Sequence, residues 1–191
     1  SAEWRVVNAA EYGAAQRRRR TFIFAYRNDT YYGTRIVQET PESILQEKGF
    51  MAKAFPISGI SNIADTILPE DIVEVSETFG FSFQPAGYMT GGHVYTTSVT
   101  VAGDAPILLG SILEKCEDED YYLDDDCLQK WSYLKGAKKI SRTAANGHQY
   151  VFSEGAVAFP DPWDRPARTM LTSESTLNRS SHVVIDPGTN R

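Results

Sequence analysis

The sequence predicts an α+β protein: a small twisted antiparallel β-sheet with short helices and long loops, preceded by a pair of N-terminal strands. Three observations lead there. Aromatic and β-branched residues gather in short runs bounded by Gly, Pro and Asn, the pattern of strands separated by turns. Helix start and stop signals enclose only a few turns at a time. The 191 residues are 41% apolar and 23% charged, as in ordinary globular chains. No apolar run approaches the ~20 residues needed to cross a bilayer, so membrane insertion is not expected.

Trp4 to Ala9 and Thr21 to Tyr26 read as the two N-terminal strands, joined by a connection, Ala10 to Arg20, that ends in four consecutive arginines. Thr40-Pro41-Glu42-Ser43 stands before Ile44 and Leu45, with Gly49 beyond. These supply an N-cap, a proline for the first helical position and a glycine stop around a helix of about two turns. Between Asp71 and Val101 the runs FGFSF and HVYTTSVTV, with Pro85-Ala86-Gly87 and Thr90-Gly91-Gly92 as separators, are expected to form the small antiparallel sheet. Ile107 to Leu113 fits a helical turn. Asp124-Asp125-Asp126 caps a helix in which Leu128, Trp131 and Leu134 recur three apart before Gly136, and this helix should bury its Trp131 face. The stretch after Gly136 mixes basic, amide and hydroxyl residues with Gly and Pro, and reads as loops carried on short strands.

The net charge of -6 argues against a protein that coats nucleic acid, but charge is segregated along the chain. Residues 114 to 126 hold eight acids against Lys115, whereas 127 to 149 hold Lys130, Lys135, Lys138, Lys139 and Arg142 with no acid. Such separation suits a protein that offers a polyanion one face and repels it with another. Cys116 and Cys127 sit among acids that raise a thiol's pKa, so both read as packing residues in a reducing compartment. The opening Ser1-Ala2-Glu3-Trp4 shows neither an initiator Met nor a secretory signal. A cytoplasmic protein is expected, and the segment is expected to be a piece of a longer chain.

Two motifs carry a resemblance. VVNAAEYGAAQRRRRTFIFAYR, residues 6 to 27, places Asn8, Ala9, Tyr12, Gly13, Gln16, Arg18 and Arg20 in order before the apolar strand Phe22-Ile23-Phe24. This is similar to the eighth conserved block of DNA cytosine-5 methyltransferases. Ala15 departs from it, standing where the family commonly has Pro, a change that bears on loop stiffness more than on chemistry. RPARTMLTSES (165 to 175), followed by NRSSHVVI, resembles the segment that closes the recognition domain in one branch of the family, and YYLDDDCLQKWSYLKGAKK also reads like that branch.

The resemblance implies that residues 1–30 are strands of a doubly wound methyltransferase domain and that 31–191 form the target-recognition domain. It further implies double-stranded DNA and the rest of the methyltransferase as partners, with S-adenosylmethionine serving the full enzyme and no cofactor bound by this segment. Arg20 would face a flipped cytosine and Arg18 a backbone phosphate, with Gln16 holding the loop. Arg17 and Arg19 would alternate outward. Thr169 would hold a phosphate near the target, beside Arg168 and Thr172.

Candidates for reading the bases are Lys138, Lys139, Arg142, Asn146, His148 and Gln149, which lie in the acid-free stretch and carry side chains that address base edges. No Pro-Cys-Gln loop, Glu-Asn-Val stretch or glycine-rich cofactor turn occurs, so this segment is expected to be inactive alone. The alternatives are a stand-alone nucleic-acid-binding or interaction module, and an independent hydrolase or metal site. The second would use His93, His148 or His182 with an acid, or build a metal site from these histidines, no two of which are close in sequence.

Overall fold

The computed structural model describes residues 1–174 and 176–191. Ser175, the last residue of RPARTMLTSES, lies outside the described residues. The chain divides into two compact units, Ser1–Ala105 and Pro106–Arg191. Short helices and antiparallel sheets make the fold α+β, as the sequence predicts.

The first unit opens with β1 (Ala2–Asn8) and β2 (Arg19–Ala25), antiparallel, with Trp4 opposite Ile23 and Val7 opposite Arg20. A 3-10 turn over Ala9–Tyr12 leads out of β1 and closes on Gly13, whose φ of 82° is left-handed and favours glycine. Helix α1 (Tyr31–Ile36) is capped by the Thr30 hydroxyl, which accepts from the Gly33 N–H. Helix α2 (Pro41–Ser43) has the expected Thr40 cap and continues as one π turn over Ile44–Lys48.

Gly49, extended at φ -64° and ψ 160°, stops this helical path as expected, and a new helix, α3 (Phe50–Ala54), starts directly beyond it. The reason for the restart lies on β1. The Glu3 carboxylate accepts from the Met51 N–H at 3.0 Å, supplying a partner that the first turn of a helix otherwise lacks. A Cβ on Gly49 would come within 2.5 Å of Glu3 Oε2, so glycine gives this close approach its room.

Strands β3 (Ile57–Ile60) and β4 (Ala64–Ile67) are followed by α4 (Ile72–Thr78), then by β5 (Ala86–Thr90), β6 (His93–Thr97) and β7 (Val99–Val101). The main sheet runs β2-β1-β5-β6-β4, antiparallel throughout, and β3 pairs separately with β7. Gly91 and Gly92, both with positive φ, turn β5 into β6 as the Thr90-Gly91-Gly92 signal predicts. FGFSF is not a strand. Asp71 caps α4 by accepting from the Val73 N–H, the helix runs to Thr78, and Phe79 and Phe81 contact Phe83, which meets the Trp4 ring at 5.1 Å. Those rings pack against one another rather than along a ladder. Because β1 pairs with β5 as well as β2, residues 1–30 share one sheet with later strands of the unit. Packing divides the chain between Ala105 and Pro106.

The second unit contains 3-10 turns at Leu109–Ser111 and Glu119–Tyr121 and helix α5 (Asp125–Lys135), capped by Asp124 through the Cys127 N–H. Trp131 is buried as expected, but Leu128 is 38% exposed, and the residue buried with Trp131 is Lys135. Strands β8 (Lys138–Thr143) and β9 (Gln149–Glu154) form a hairpin, and the remaining chain is irregular. Among the described residues no helix is long and apolar enough to cross a membrane.

Gly87 offers a direct test of the main sheet. A Cβ there would lie 1.8 Å from the Trp4 ring, which is itself tied by its indole N–H to the Gln84 carbonyl. Gly87→Ala should cost on the order of 3 kcal/mol, read as a lower denaturant midpoint with an unchanged slope.

Candidate nucleic-acid interface

The arginine run occupies the connection between β1 and β2 and the start of β2. Its shape is fixed from below. The Ala9 N–H donates to the Arg18 carbonyl, the Arg18 N–H to the Gln16 carbonyl, and Asn8 Nδ2 to Glu11. Tyr12 donates to the Pro56 carbonyl and packs its ring on Phe55. Gly103 passes so close that a Cβ would lie 1.9 Å from the Glu11 carbonyl oxygen. The residues Asn8, Tyr12 and Gly13 therefore shape the loop, while the arginines are its product. Arg17 and Arg19 are exposed, as expected for outward positions, and Gln16 and Arg18 are half-buried and engaged. Arg20 is also exposed, and its guanidinium donates to the Arg19 carbonyl at 2.6 Å. Alternation along β2 puts Arg20 on the face of Phe22 and Phe24, opposite to Arg19.

The six base-reading candidates all fall on the β8–β9 hairpin and its turn. Gly147, at φ 84°, makes the turn, and Asn146 Oδ1 accepts from the His148 N–H, so Asn146 builds the bend it tips. Lys139, Arg142, His148 and Gln149 are exposed. Arg142 lies over the Phe152 ring at 4.1 Å, and the His148 ring stacks on Tyr150. Lys138 differs from the others. Its ammonium donates to the Leu134 carbonyl at 2.8 Å, lies 3.5 Å from Glu154 and covers the Tyr133 ring, which makes it a root of the hairpin.

Arg168 is spent inside the protein. Its guanidinium forks onto Asp161 at 2.7 and 3.1 Å and donates to the carbonyls of Ser180 and Ser181. Asp161 is 3% exposed and also accepts from the Val183 N–H, while the equally buried Lys135 ammonium reaches the Ser181 carbonyl and stands 3.6 Å from the carboxylate. Burial pushes the Asp161 carboxyl up, but the Arg168 and Val183 hydrogen bonds outweigh it and hold the group below the ordinary carboxylate range. Thr169 is half-buried and Thr172 exposed on the segment that this cluster fixes. The cluster joins residues 7 to 46 apart in sequence, and no local signal points to it. The polar residues Lys135, Asp161 and Ser181 go unmarked in a sequence reading for that reason.

Other chemistry finds less support. A cavity of about 710 Å³ in the second unit is lined by Trp131, Tyr121 and Tyr122 but also by Glu114, Asp124 and Asp125, an acidic lining that repels a polyanion. His93 meets Asp65 and Tyr95, and His182 meets Glu174. Among the described residues, in neither case does the other ring nitrogen meet a serine, threonine or cysteine. Among the described residues no group of His, Cys, Asp and Glu could hold a metal ion. The Cys127 thiol is pushed up, first by its hydrogen bond with Asp124 and then by burial, the reverse of an activated thiolate.

Comparison with known proteins adds a relationship to this geometry. The family of C-5 cytosine-specific DNA methylases matches residues 1–148. The chain is 43% identical over 185 residues to a Type II methyltransferase, M.Sau3AI, of Staphylococcus aureus. That match covers 95% of this chain and 45% of the relative, so the chain spans less than half of the relative's length. No solved structure matches.

Two outcomes test the cluster beneath the hairpin. Asp161→Ala strands Arg168 and Lys135 without their shared carboxylate and should destabilise the second unit by roughly 3–5 kcal/mol in a denaturant titration. The second outcome concerns pH. Hydrogen bonds from Thr189, opposed by burial and aided by Tyr122, hold Asp186 down at about 2. Asp161 is lowered too, so both carboxylates bind protons more weakly folded than unfolded. Their contribution to stability should be complete above about pH 4 and drain away as the pH falls toward 2. Trp131 fluorescence or circular-dichroism signals followed across that window check it, with Asp186→Asn flattening the lower part.

Proposed function

The chain belongs to the C-5 cytosine-specific DNA methylase family, and from that premise we propose that it is the DNA target-recognition portion of a restriction-modification-type cytosine-5 methyltransferase. The observation that carries this is the Gln16 to Arg20 connection, a loop built by the Asn8 to Gly13 turn, which buries Ala10, and ending in exposed arginines. Methylation at C5 requires the cytosine to leave the duplex, and an extruded base must be anchored by donors that stay charged. Arg20 faces the flipped cytosine. Arg18 holds the flanking phosphate, and Gln16 keeps the loop in place. The β8–β9 hairpin, with Lys139, Arg142, His148 and Gln149, addresses the DNA around the target, rooted by Lys138 and turned by Asn146. Thr169 and Thr172 meet the backbone near the target, on a segment held by Arg168.

The family normally uses S-adenosylmethionine, which supplies the methyl group. In this reading the cofactor, the cysteine nucleophile and the proton-donating glutamate belong to the rest of the enzyme, so this segment is inactive alone and works in the cytoplasm with that remainder. Residues 1–30 then belong functionally to a doubly wound catalytic domain and 31–191 to recognition. Strand β2 supports that division. It is an edge strand of the sheet, with Ile23 70% exposed and Phe22 exposed beside it, and such an edge calls for a covering partner.

Reconstitution tests the proposal. The chain is combined with the cofactor-binding remainder of the enzyme, S-adenosylmethionine and mixed-sequence duplex DNA, and cytosine methylation is measured. Sequence-specific methylation is expected, falling roughly 100-fold or more in Arg20→Ala and little in Arg17→Ala. A folded pairing that marks no cytosine would refute it. Without the remainder, the open β2 edge should promote self-association, and light scattering that shows only monomer at high concentration would count against that edge as a docking surface.

A further inference from the structure

The register of β8 and β9 sorts their side chains into two unlike faces. Lys138, Ile140 and Arg142 stand opposite Glu154, Phe152 and Tyr150, while Lys139, Ser141 and Thr143 stand opposite Ser153, Val151 and Gln149. The first face is occupied by its own contacts. Lys138 is held by Leu134, Glu154 and Tyr133, Arg142 lies on Phe152, and His148 stacks on Tyr150. The second face is open. Its six residues are exposed, it carries no acid and no aromatic ring, and among the described residues no carboxylate meets Lys139.

An isolated two-stranded hairpin is marginally stable in water, yet this one joins no other sheet. Its ties are at the base. Arg179 donates to the carbonyls of Leu134, Gly136 and Gly155, and the Val157 N–H donates to Lys135. Beyond them the ribbon projects with nearly every residue from 139 to 151 exposed. A surface held rigidly at its root and left bare at both strands is arranged to meet something.

We infer that this ribbon enters the major groove of duplex DNA with the Lys139, Ser141, Thr143, Gln149 and Val151 face against the base edges. The inference rests on the reading of the chain as a target-recognition segment. Size selects the groove: two strands about 4.8 Å apart make a ribbon on the order of 10 Å across, which a major groove of about 12 Å admits and a minor groove of about 6 Å does not. Chemistry selects the face. Gln149 can pair bidentately with adenine N6 and N7, the Lys139 ammonium can donate to guanine O6 and N7, and Val151 offers methyl groups. The opposite face keeps its arginine on an aromatic ring and its lysine in an ion pair. Arg142 is left to approach the phosphates, a contact that positions without specifying.

The test uses the complete methyltransferase containing this chain and a library of randomised duplexes, reading which sites are methylated. Gln149→Leu and Lys139→Met should each relax discrimination at one base pair, by roughly 5- to 150-fold, while methylation continues. Ile140→Thr and Tyr150→Phe, on the other face, should leave the site profile as it was. Circular-dichroism melts that match the parent show that the variants fold, as their exposure leads one to expect. If Gln149→Leu and Lys139→Met both keep the parent's profile, or lower methylation equally at every site, the ribbon does not read bases and the inference fails while the functional reading stands. A parent that marks no cytosine overturns both.

Discussion

A carboxylate withdrawn from water must be met by donors, and in each compact unit that requirement decides how the elements meet. Glu3 is 2% exposed in the middle of the first unit. It accepts from the Met51 N–H and from the Tyr32 hydroxyl, which in turn accepts from the Phe50 N–H. One acid on β1 thus orders the start of α3 and the packing of α1, and the close approach leaves Gly49 no room for a side chain. Arg5, on the same face of β1 and 1% exposed, donates to the carbonyls of Leu45 and Phe55 and ties the sheet to the π turn and the end of α3. Burial and the nearby acid push the Tyr26 and Tyr32 hydroxyls well above the ordinary phenol value, so both stay neutral across the physiological range, and Tyr32 donates to Glu3. The apolar cluster of Ile36, Ile44, Leu45, Ala86 and Tyr88 fills the space around these polar ties.

Asp161 does the corresponding work in the second unit, where few apolar side chains are buried. It draws in Arg168, Lys135 and the chain at Val183, and through them α5 is joined to the irregular segment that follows β9. Breaking such a cluster is costly because each cation left behind is uncompensated. Its position also explains why the hairpin is held only at its base: the donors and carbonyls near residues 134 to 138 and 154 to 157 are committed, and those farther out are not.

Local signals were legible in the sequence and distant ones were not. The β1 and β2 strands, the Thr40 and Asp124 caps, the Gly91-Gly92 and Asn146-Gly147 turns and the Gln16 to Arg20 loop each depend on residues a few positions apart. FGFSF misleads because aromatic enrichment has the same appearance whether rings pack along a ladder or on one another, and the Asp71 cap that begins α4 stands beside no helical periodicity strong enough to oppose it. Gly49 marks its helix stop correctly, but the start of α3 just beyond it is not legible, because Glu3, the acid that meets it, stands 46 residues before Gly49. The candidate site shows the same division. Residue type located Lys138 to Gln149, but only the strand register separates Lys138 and Arg142 from Lys139 and Gln149, and only the fold reveals that Arg168 is bound to Asp161.

The open face of the hairpin has a consequence for descent as well as for binding. Exposed residues whose only neighbours are solvent and a ladder partner can be exchanged for within about 0.5 kcal/mol, whereas a change at Asp161 or Glu3 threatens the whole unit. Mutations therefore accumulate on that face with little risk to folding. A lineage of such proteins can wander among surface chemistries while its skeleton stays put, and divergence between relatives should concentrate along those alternate positions rather than spread evenly through the chain.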